Sequence, residues 1–220
     1  MKHPIAFLHT SPAAIPPLMR FFDEAAPEFE ITNLLDDGLL RMLSAGRFDD
    51  AGARLREMLD TAQSYYGVRA AMITCSSIST KMARDAAAGT SIPVLKIDEP
   101  MARAAVQSGR RIGICATFRP TVVPTSSLLQ EAARAAGRDV ELIPEIMESA
   151  YDALLAGRFE EHDRILLAGV DSLASRNVDA IVLAQVSMAR VLSQAAARTS
   201  IPVFSSLNTS LEALRQLVRD

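Results

Sequence analysis

The sequence contains few residues of several types, and each shortage argues against a particular kind of site or fold. It contains no tryptophan, three tyrosines and eight phenylalanines, so a site that stacks large aromatic rings is not expected. Two cysteines, Cys75 and Cys115, are too few for a disulfide framework. The three histidines, His3, His9 and His162, have no spacing with the cysteines that indicates a metal site, so we predict no bound metal.

Long apolar runs and strongly basic stretches are also missing. No apolar run approaches the roughly 20 residues that span a bilayer, and residues 1–4 lead directly into a strand-like run without a signal-peptide core. The 23 basic and 26 acidic residues are well mixed and give a net charge of −3, which does not suit contact with a phosphate backbone. We therefore expect a soluble cytoplasmic protein that binds neither nucleic acid nor a membrane.

Short β-rich runs alternate with longer stretches of helical periodicity along the whole chain. The predicted strands are Ile5–Leu8, Phe29–Thr32, Ala70–Ile73 and Pro93–Ile97, and the same order restarts at Arg111–Cys115. Helices are predicted between the strands, one of them over residues 77–88. This βαβα order, in a chain that is 49% apolar, predicts an α/β fold with mainly parallel sheets flanked by helices on both faces.

The second half of the chain repeats the first in its letters as well as in its pattern. Ala-Gly-Arg-Phe-Asp-Asp at 45–50 recurs as Ala-Gly-Arg-Phe-Glu-Glu at 156–161, and Thr-Ser-Ile-Pro-Val at 90–94 recurs at 199–203. Between these matches, residues 68–75 align with residues 178–185, which aligns Cys75 with Gln185. Matches in the same order at nearly constant separation indicate two pseudo-symmetric lobes.

The lobe boundary is predicted near the end of the fourth strand. We place the N-terminal lobe at residues 1–98 and the C-terminal lobe at residues 99–220, with a C-terminal helix over 207–220 that can pack back on the first lobe. Ligands of open parallel sheets bind beyond the carboxyl ends of the strands. We therefore predict an active site in the cleft between the two lobes.

The two thiols stand in different local settings. Cys75 lies at a predicted strand-to-helix junction, where Ser76 and Ser77 are candidate helix N-caps. A thiol there lies near the positive end of the helix dipole, which favours the thiolate and suits it to moving protons. The alternative for Cys75 is a small buried hydrophobe. Cys115 lies inside an apolar run and aligns with Leu8, so we assign it to packing.

Polar residues follow the other predicted strands as well. The candidate substrate-binding residues are His9, Thr10, Ser11, Ser76, Ser77, Glu99, Thr117, Thr121, Gln185, Val186 and Ser187. Hydroxyl and backbone N–H groups at helix N-termini hold carboxylates, although each hydroxyl taken alone is equally well explained as an ordinary N-cap. His9 is either a second acid/base group or a satisfied structural histidine, and Glu99 either contacts substrate or caps a helix. Residues 160–164 indicate a solvated helix face.

Residues 73–79, Ile-Thr-Cys-Ser-Ser-Ile-Ser, resemble the aspartate/glutamate/hydantoin racemase superfamily. Further similar segments are Ile-Asp-Glu-Pro-Met at 97–101, Ile-Gly-Ile-Cys-Ala-Thr at 112–117 with Thr121, and Val-Leu-Ala-Gln-Val-Ser-Met-Ala at 182–189. Together these segments span nearly the entire chain. The resemblance implies two pseudo-symmetric lobes, a small carboxylate-bearing substrate, no organic cofactor, no metal and a homodimer.

Racemases of this superfamily carry one cysteine per lobe on opposite faces of the substrate carbon, where one removes the α-proton and the other delivers one. Cys75 matches the first of these cysteines. The second position holds Gln185, whose amide only donates and accepts hydrogen bonds. The resemblance therefore implies an enzyme acting at a carbon next to a carboxylate, with Cys75 as its acid/base residue.

Three interpretations stay open at this point. The chain is a racemase or isomerase, a decarboxylase or other carbon–carbon lyase that uses a single thiol, or a catalytically silent protein that binds a carboxylate. Arylmalonate decarboxylase belongs to the same superfamily and has its single thiol in the second lobe. A decarboxylase built on Cys75 is therefore expected to give the product of the opposite hand.

Overall fold

The computed structural model describes residues 2–218, apart from the side chains of Ala13 and Pro120. Its contacts divide the chain into two compact units. The first unit runs to Asp98 and also takes in the C-terminal segment from Ser210, and the second unit is Glu99–Thr209. Each unit is an α/β structure built on one parallel sheet, as the sequence predicts.

The first unit has four parallel strands in the order β2-β1-β3-β4. The strands are β1 (His3–His9), β2 (Phe29–Leu35), β3 (Ala70–Ile73) and β4 (Val94–Lys96). The helices are α1 (Ile15–Ala25), α2 (Gly38–Ser44), α3 (Phe48–Tyr66) and α4 (Thr80–Ala87), with a short 3₁₀ turn at Pro12–Ala14.

The second unit has four parallel strands in the equivalent order β6-β5-β7-β8. The strands are β5 (Arg111–Ala116), β6 (Glu141–Ile146), β7 (Ala180–Leu183) and β8 (Val203–Ser205). The helices are α5 (Glu99–Ser108), α6 (Val122–Ala135), α7 (Glu148–Leu155), α8 (Phe159–Ala174) and α9 (Leu192–Arg198), with 3₁₀ segments at Arg119–Thr121 and Val186–Val191. The last helix, α10 (Ser206–Leu217), begins in the second unit and belongs to the first unit from Ser210 onward.

Helices cover both faces of each sheet, because the central strands are apolar on both sides. In the first unit, Leu8 and Ile73 pack in one buried cluster with Leu59 of α3, whereas Phe7 on the opposite face meets Phe22 of α1 edge to face at 4.8 Å. The second unit follows the same plan. One buried cluster joins its sheet to α7, α8 and α9, and another joins it to α5 and α6. A parallel sheet needs this double cover.

The sequence repeat has a structural counterpart in the loop between two helices of each unit. Gly46 and Gly157 occupy equivalent turns with φ of 72° and 71°, a left-handed conformation that glycine adopts without steric cost. In each unit the arginine after this glycine pairs with an acidic residue three positions later, at 2.7 Å for Arg47–Asp50 and 2.6 Å for Arg158–Glu161. The repeated motif is therefore a helix-to-helix connection.

The C-terminal part of helix α10 belongs to the first unit and is bonded to the residues that follow α1 and to its end. Nε of Arg215 donates to Oε1 of Glu28 at 2.7 Å, and its Nη2 donates to the carbonyl of Ala25 at 2.7 Å. Residues 219–220 of the predicted C-terminal helix lie outside the described residues. Among helices of the described chain, none is both long and apolar enough to cross a membrane.

Candidate active site

Cys75 lies just beyond the carboxyl end of a central strand of the first sheet. Strand β3 ends at Ile73, and the backbone N–H of Thr74 still donates to the carbonyl of Leu8 at 3.0 Å. Cys75 is partly exposed and packs against the buried cluster on the α3 and α4 face of the sheet. The strand therefore delivers one accessible thiol to the edge where parallel sheets bind ligands.

The predicted helix start after Cys75 is wrong by about one turn. Helix α4 begins at Thr80, and its N-cap is Ser79, whose hydroxyl accepts from the backbone N–H of Met82 at 3.1 Å. Ser76 and Ser77 are exposed and cap no helix, because Ile78 turns inward and is only 1% exposed. A helix dipole acts mainly within its first turn, so the predicted dipole effect on Cys75 is weaker than a direct junction would give.

A chain of polar side chains fixes the segment that carries Cys75. Nδ1 of the fully buried His9 is hydrogen-bonded to Oγ1 of Thr74 at 2.8 Å, and Nε2 is hydrogen-bonded to Oδ1 of Asn33 at 2.8 Å. Burial lowers the pKa of His9, and the hydrogen bond to Asn33 only partly offsets this. Both ring nitrogens are engaged, which favours the structural interpretation of His9 over an acid/base role.

Cys115 is an inert core thiol, as its place in an apolar strand predicts. Its side chain has no exposure, and it packs in the buried cluster that joins the second sheet to α8. Burial, with a smaller contribution from the charge of Glu145 on the adjacent strand, raises the pKa of Cys115 to about 12. Among the described residues, Cys75 is therefore the only thiol open to solvent.

Gln185 is held by a two-point hydrogen bond within the second unit. Its Oε1 accepts from the backbone N–H of Thr117 at 2.9 Å, and its Nε2 donates to Oγ1 of Thr117 at 2.8 Å. Thr117 follows β5 and is 1% exposed, so the pair ties the ends of β5 and β7 together. We call this pair the Gln185–Thr117 clamp. It uses the oxygen and one N–H of the amide for internal structure.

Strand register supports the predicted alignment of Cys75 with Gln185. Leu8 lies opposite Ile73 in the first sheet, and Cys115 lies opposite Leu183 in the second. The next hydrogen bonds are also alike, because Thr74 N donates to Leu8 O and Ala184 N donates to Cys115 O, each at 3.0 Å. Cys75 and Gln185 each come one residue later, at equivalent points of the two sheets.

The remaining predicted residues fall into different surroundings. Thr10 and Ser11 follow β1 and line a surface pocket of about 630 Å³. Thr121 donates its hydroxyl to the carbonyl of Phe118 at 2.6 Å and makes no side-chain cap bond to the helix that follows. Val186 and Ser187 are partly exposed at the start of the 3₁₀ segment that follows Gln185.

Glu99 begins α5 and sits in a confined position. Its carboxylate is 4.0 Å from Nη1 of Arg103, and its side chain is 16% exposed. Oε1 of Glu99 is buried without a hydrogen-bond partner in the described chain. Glu99 lies in the first turn of α5, where a negative charge is favourable.

Sequence reasoning missed a buried ion pair at the end of β4. Lys96 and Asp98 pair through Nζ and Oδ1, with side chains that are only 3% and 12% exposed. Lys96 is in register with Ile73, two residues before Cys75. A lysine in the run Val-Leu-Lys-Ile is unusual for a buried parallel strand, and this was the available signal.

The predicted solvated helix face at residues 160–164 is wrong at His162. His162 has no exposure, and its Nδ1 is 2.8 Å from Oδ1 of Asp163. It lies on the same face of α8 as Leu166, Val170 and Leu173, which are also buried. In residues 2–218, no group of three or more His, Cys, Asp and Glu side chains is arranged to hold a metal ion.

Comparisons with known proteins agree with the α/β fold of the two units. The family profile described as Asp/Glu/Hydantoin racemase matches residues 20–214. A search of curated sequences found no match. An allantoin racemase from Klebsiella pneumoniae is similar in structure, with a TM-score of 0.69 at 17% identity over 99% of this chain and 88% of that one.

Two further solved structures share the fold at low identity. Aspartate racemase from Picrophilus torridus has a TM-score of 0.63 at 12% identity, covering 93% of this chain and 89% of that one. Unliganded arylmalonate decarboxylase has a TM-score of 0.67 at 12% identity, covering 98% and 93%. The profile match spans most of the sequence, and the two-unit fold accompanies it. The chain belongs to the Asp/Glu/hydantoin racemase family.

Proposed function

We propose that the chain is a cofactor-independent enzyme that moves a proton at a carbon next to a carboxylate, with Cys75 as the acid/base residue. The observation that carries this proposal is the partly exposed thiol of Cys75 at the carboxyl edge of the first sheet. Family membership supports the reaction type. Cys115 is not an alternative, because it is buried and its thiol is held protonated.

The proposed step is a proton transfer. The thiolate of Cys75 takes the proton from the α-carbon, and the electron pair of the broken C–H bond moves into the carboxylate to give an enediolate. The thiol then returns a proton to carbon and the carboxylate is restored. General acid–base catalysis by one positioned group contributes roughly 10²- to 10⁴-fold, and nearby donors must stabilise the negative charge on the enediolate.

The pocket lined by Thr10 offers candidate donors in the first unit, since Thr10 follows β1 as Cys75 follows the neighbouring strand β3. Thr10 is 5% exposed and lines the pocket. Arg41 of α2 lines the same pocket, with only a loose surface contact to Asp37 at 3.9 Å. A guanidinium and a hydroxyl are suited to hold a carboxylate. We assign substrate carboxylate binding to Arg41 and Thr10.

The Gln185–Thr117 clamp favours a one-thiol lyase as the second candidate. The amide of Gln185 has no proton to exchange near neutral pH, and the clamp engages it within its own unit. In a decarboxylation, the C–C bond breaks, carbon dioxide leaves, and the electron pair forms an enediolate that the thiol of Cys75 protonates on one face. Such an enzyme needs one proton donor.

Proton NMR in heavy water separates these candidates. The native chain, Cys75→Ala and the matched control Cys115→Ala are incubated with amino acids, 2-hydroxy acids and substituted malonates. We expect deuterium at the α-carbon with the native chain and Cys115→Ala, and a loss of at least roughly 100-fold with Cys75→Ala. Arg41→Met is expected to raise KM more than it lowers kcat.

The products identify the reaction. Deuteration with inversion indicates a racemase and requires a second proton donor besides Cys75. Deuterium on one face with loss of carbon dioxide indicates the lyase. Binding of carboxylates without any exchange contradicts the proposed enzyme and supports the catalytically silent carboxylate-binding protein.

A further inference from the structure

The 3₁₀ segment that follows Gln185 is tied to α8 by polar contacts. Arg190 lies in this segment, and its Nε is 3.1 Å from the carboxylate of Asp163. The guanidinium carbon of Arg190 lies 4.9 Å from the ring centre of Phe159, in cation–π geometry. The other side of the segment is anchored by the buried side chains of Met188 and Val191.

His162 orients the carboxylate that receives Arg190. Nδ1 of His162 is 2.8 Å from Oδ1 of Asp163, while Nε2 is buried without a hydrogen-bond partner in the described chain. A buried polar atom without a partner costs roughly 1–3 kcal/mol. A fully apolar residue at this position avoids that cost, so stability alone does not explain the histidine.

The first unit lacks these polar groups at the equivalent positions. The repeated motif places Gly46 with Gly157, and therefore aligns His162 with Ala51 and Asp163 with Gly52. The Asp163–Arg190 tie thus belongs to the unit that holds Gln185, where the family resemblance expects a second proton-transfer group. The first unit, which holds Cys75, has Ala51 and Gly52 at the positions of His162 and Asp163 and so has no equivalent ion pair there.

We propose that Arg190, held by Asp163 and His162, is a positioning residue that fixes Gln185 and the adjacent Val186 and Ser187 in the orientation that forms the Gln185–Thr117 clamp. The inference rests on the proposed function for its catalytic meaning only. Gln185 immediately precedes the 3₁₀ segment, so a segment pinned at Arg190 limits the backbone positions open to Gln185. Without the tie, the amide leaves Thr117 more often.

Hydrogen exchange of the Thr117 backbone N–H reports the clamp directly, because Gln185 is its acceptor. In ¹⁵N-labelled full-length protein, we expect Arg190→Met to speed this exchange roughly tenfold, as loss of a partly exposed ion pair with a cation–π contact implies. Arg190→Lys should restore part of the protection, and Asp163→Asn should speed the exchange by a smaller factor than Arg190→Met, because the contact of Arg190 with Phe159 remains. The double variant should add little to Arg190→Met, because Arg190→Met already removes the ion pair with Asp163.

Arg198→Met is the matched control. Arg198 of α9 forms a comparable bridge to Asp171 of α8, at 3.0 Å from Nε, one helix beyond the segment. We expect Thr117 exchange to stay within twofold of native in this control. Unchanged exchange in Arg190→Met, or an equal increase in Arg198→Met, would overturn the proposal.

Activity separates this inference from the proposed function. If Cys75-dependent deuteration occurs, Arg190→Met should lower kcat or the facial selectivity while KM changes little. If no deuteration occurs with any substrate, the exchange measurement still decides the positioning role. Failure of the chemistry and failure of the tie are therefore distinguishable.

Discussion

Replacing Lys96 should damage stability far more than replacing a surface lysine. The side chains of Lys96 and Asp98 are 3% and 12% exposed. Lys96→Met therefore removes the counterion of a carboxylate that is already nearly buried. Breaking a buried pair from one side costs about 3–5 kcal/mol, mostly because the remaining charge is uncompensated. For a chain of this size the expected fall in Tm is roughly 6–20 °C.

The surface pair Lys81–Asp85 provides the internal comparison. Its side chains are 85% and 57% exposed, so Lys81→Met should leave the free energy of unfolding nearly unchanged, because solvent screens an exposed pair. Thermal and urea unfolding followed by circular dichroism measures both variants. The double variant Lys96→Met with Asp98→Asn should recover much of the loss, since no buried charge remains. A Lys96→Met protein as stable as Lys81→Met would refute the reasoning.

Two further predictions concern pH and backbone packing. Burial lowers the pKa of His9 below its ordinary value of 6.5, so below that pH the unfolded chain binds a proton that the folded chain does not. The free energy of unfolding therefore decreases as pH falls through 6.5, by at most about 1.4 kcal/mol per pH unit. A plot of the urea midpoint against pH should have a shallower slope below pH 6.5 for His9→Gln than for the native chain. Gly109→Ala should destabilise by roughly 1–3 kcal/mol, because an added Cβ meets Cβ of Asp179 at 2.2 Å. Gly89→Ala, with no atom within 4 Å of an added Cβ, should leave Tm unchanged.

The strands and their equivalence could be predicted from sequence because two independent signals agree. Short apolar runs mark the strands, and the repeated letters align the halves, so that β3 is predicted at its observed bounds, Ala70–Ile73. Strand β5 is predicted one residue short of its observed end at Ala116. The observed register, with Leu8 opposite Ile73 and Cys115 opposite Leu183, supports the alignment of Cys75 with Gln185.

The helix start after Cys75 could not be read from residue types alone. Ser76, Ser77 and Ser79 are all acceptable N-caps, and local sequence does not rank them. The choice depends on Ile78, which is 1% exposed in the tertiary structure and places the cap at Ser79. Such a decision depends on packing partners distant in sequence.

The buried His162 was within reach of the sequence. A period of 3.6 places it on one helix face with Leu166, Val170 and Leu173. The neighbouring charges suggested a solvated face because Glu160 and Arg164 lie on other sides of the helix and are exposed. A charged run therefore has to be divided by helix face before solvation is inferred.

The two units share strand order and register but differ in the group at the equivalent strand ends, and this difference constrains the proposed chemistry. A single thiol that removes and returns a proton works on one face of the substrate carbon, so it exchanges hydrogen without inversion. Inversion needs a second proton donor on the opposite face. The amide of Gln185 forms hydrogen bonds to Thr117 and acts as neither an acid nor a base near neutral pH. On the proposed function, exchange that retains configuration, or protonation of one face after loss of carbon dioxide, follows directly from Cys75 alone.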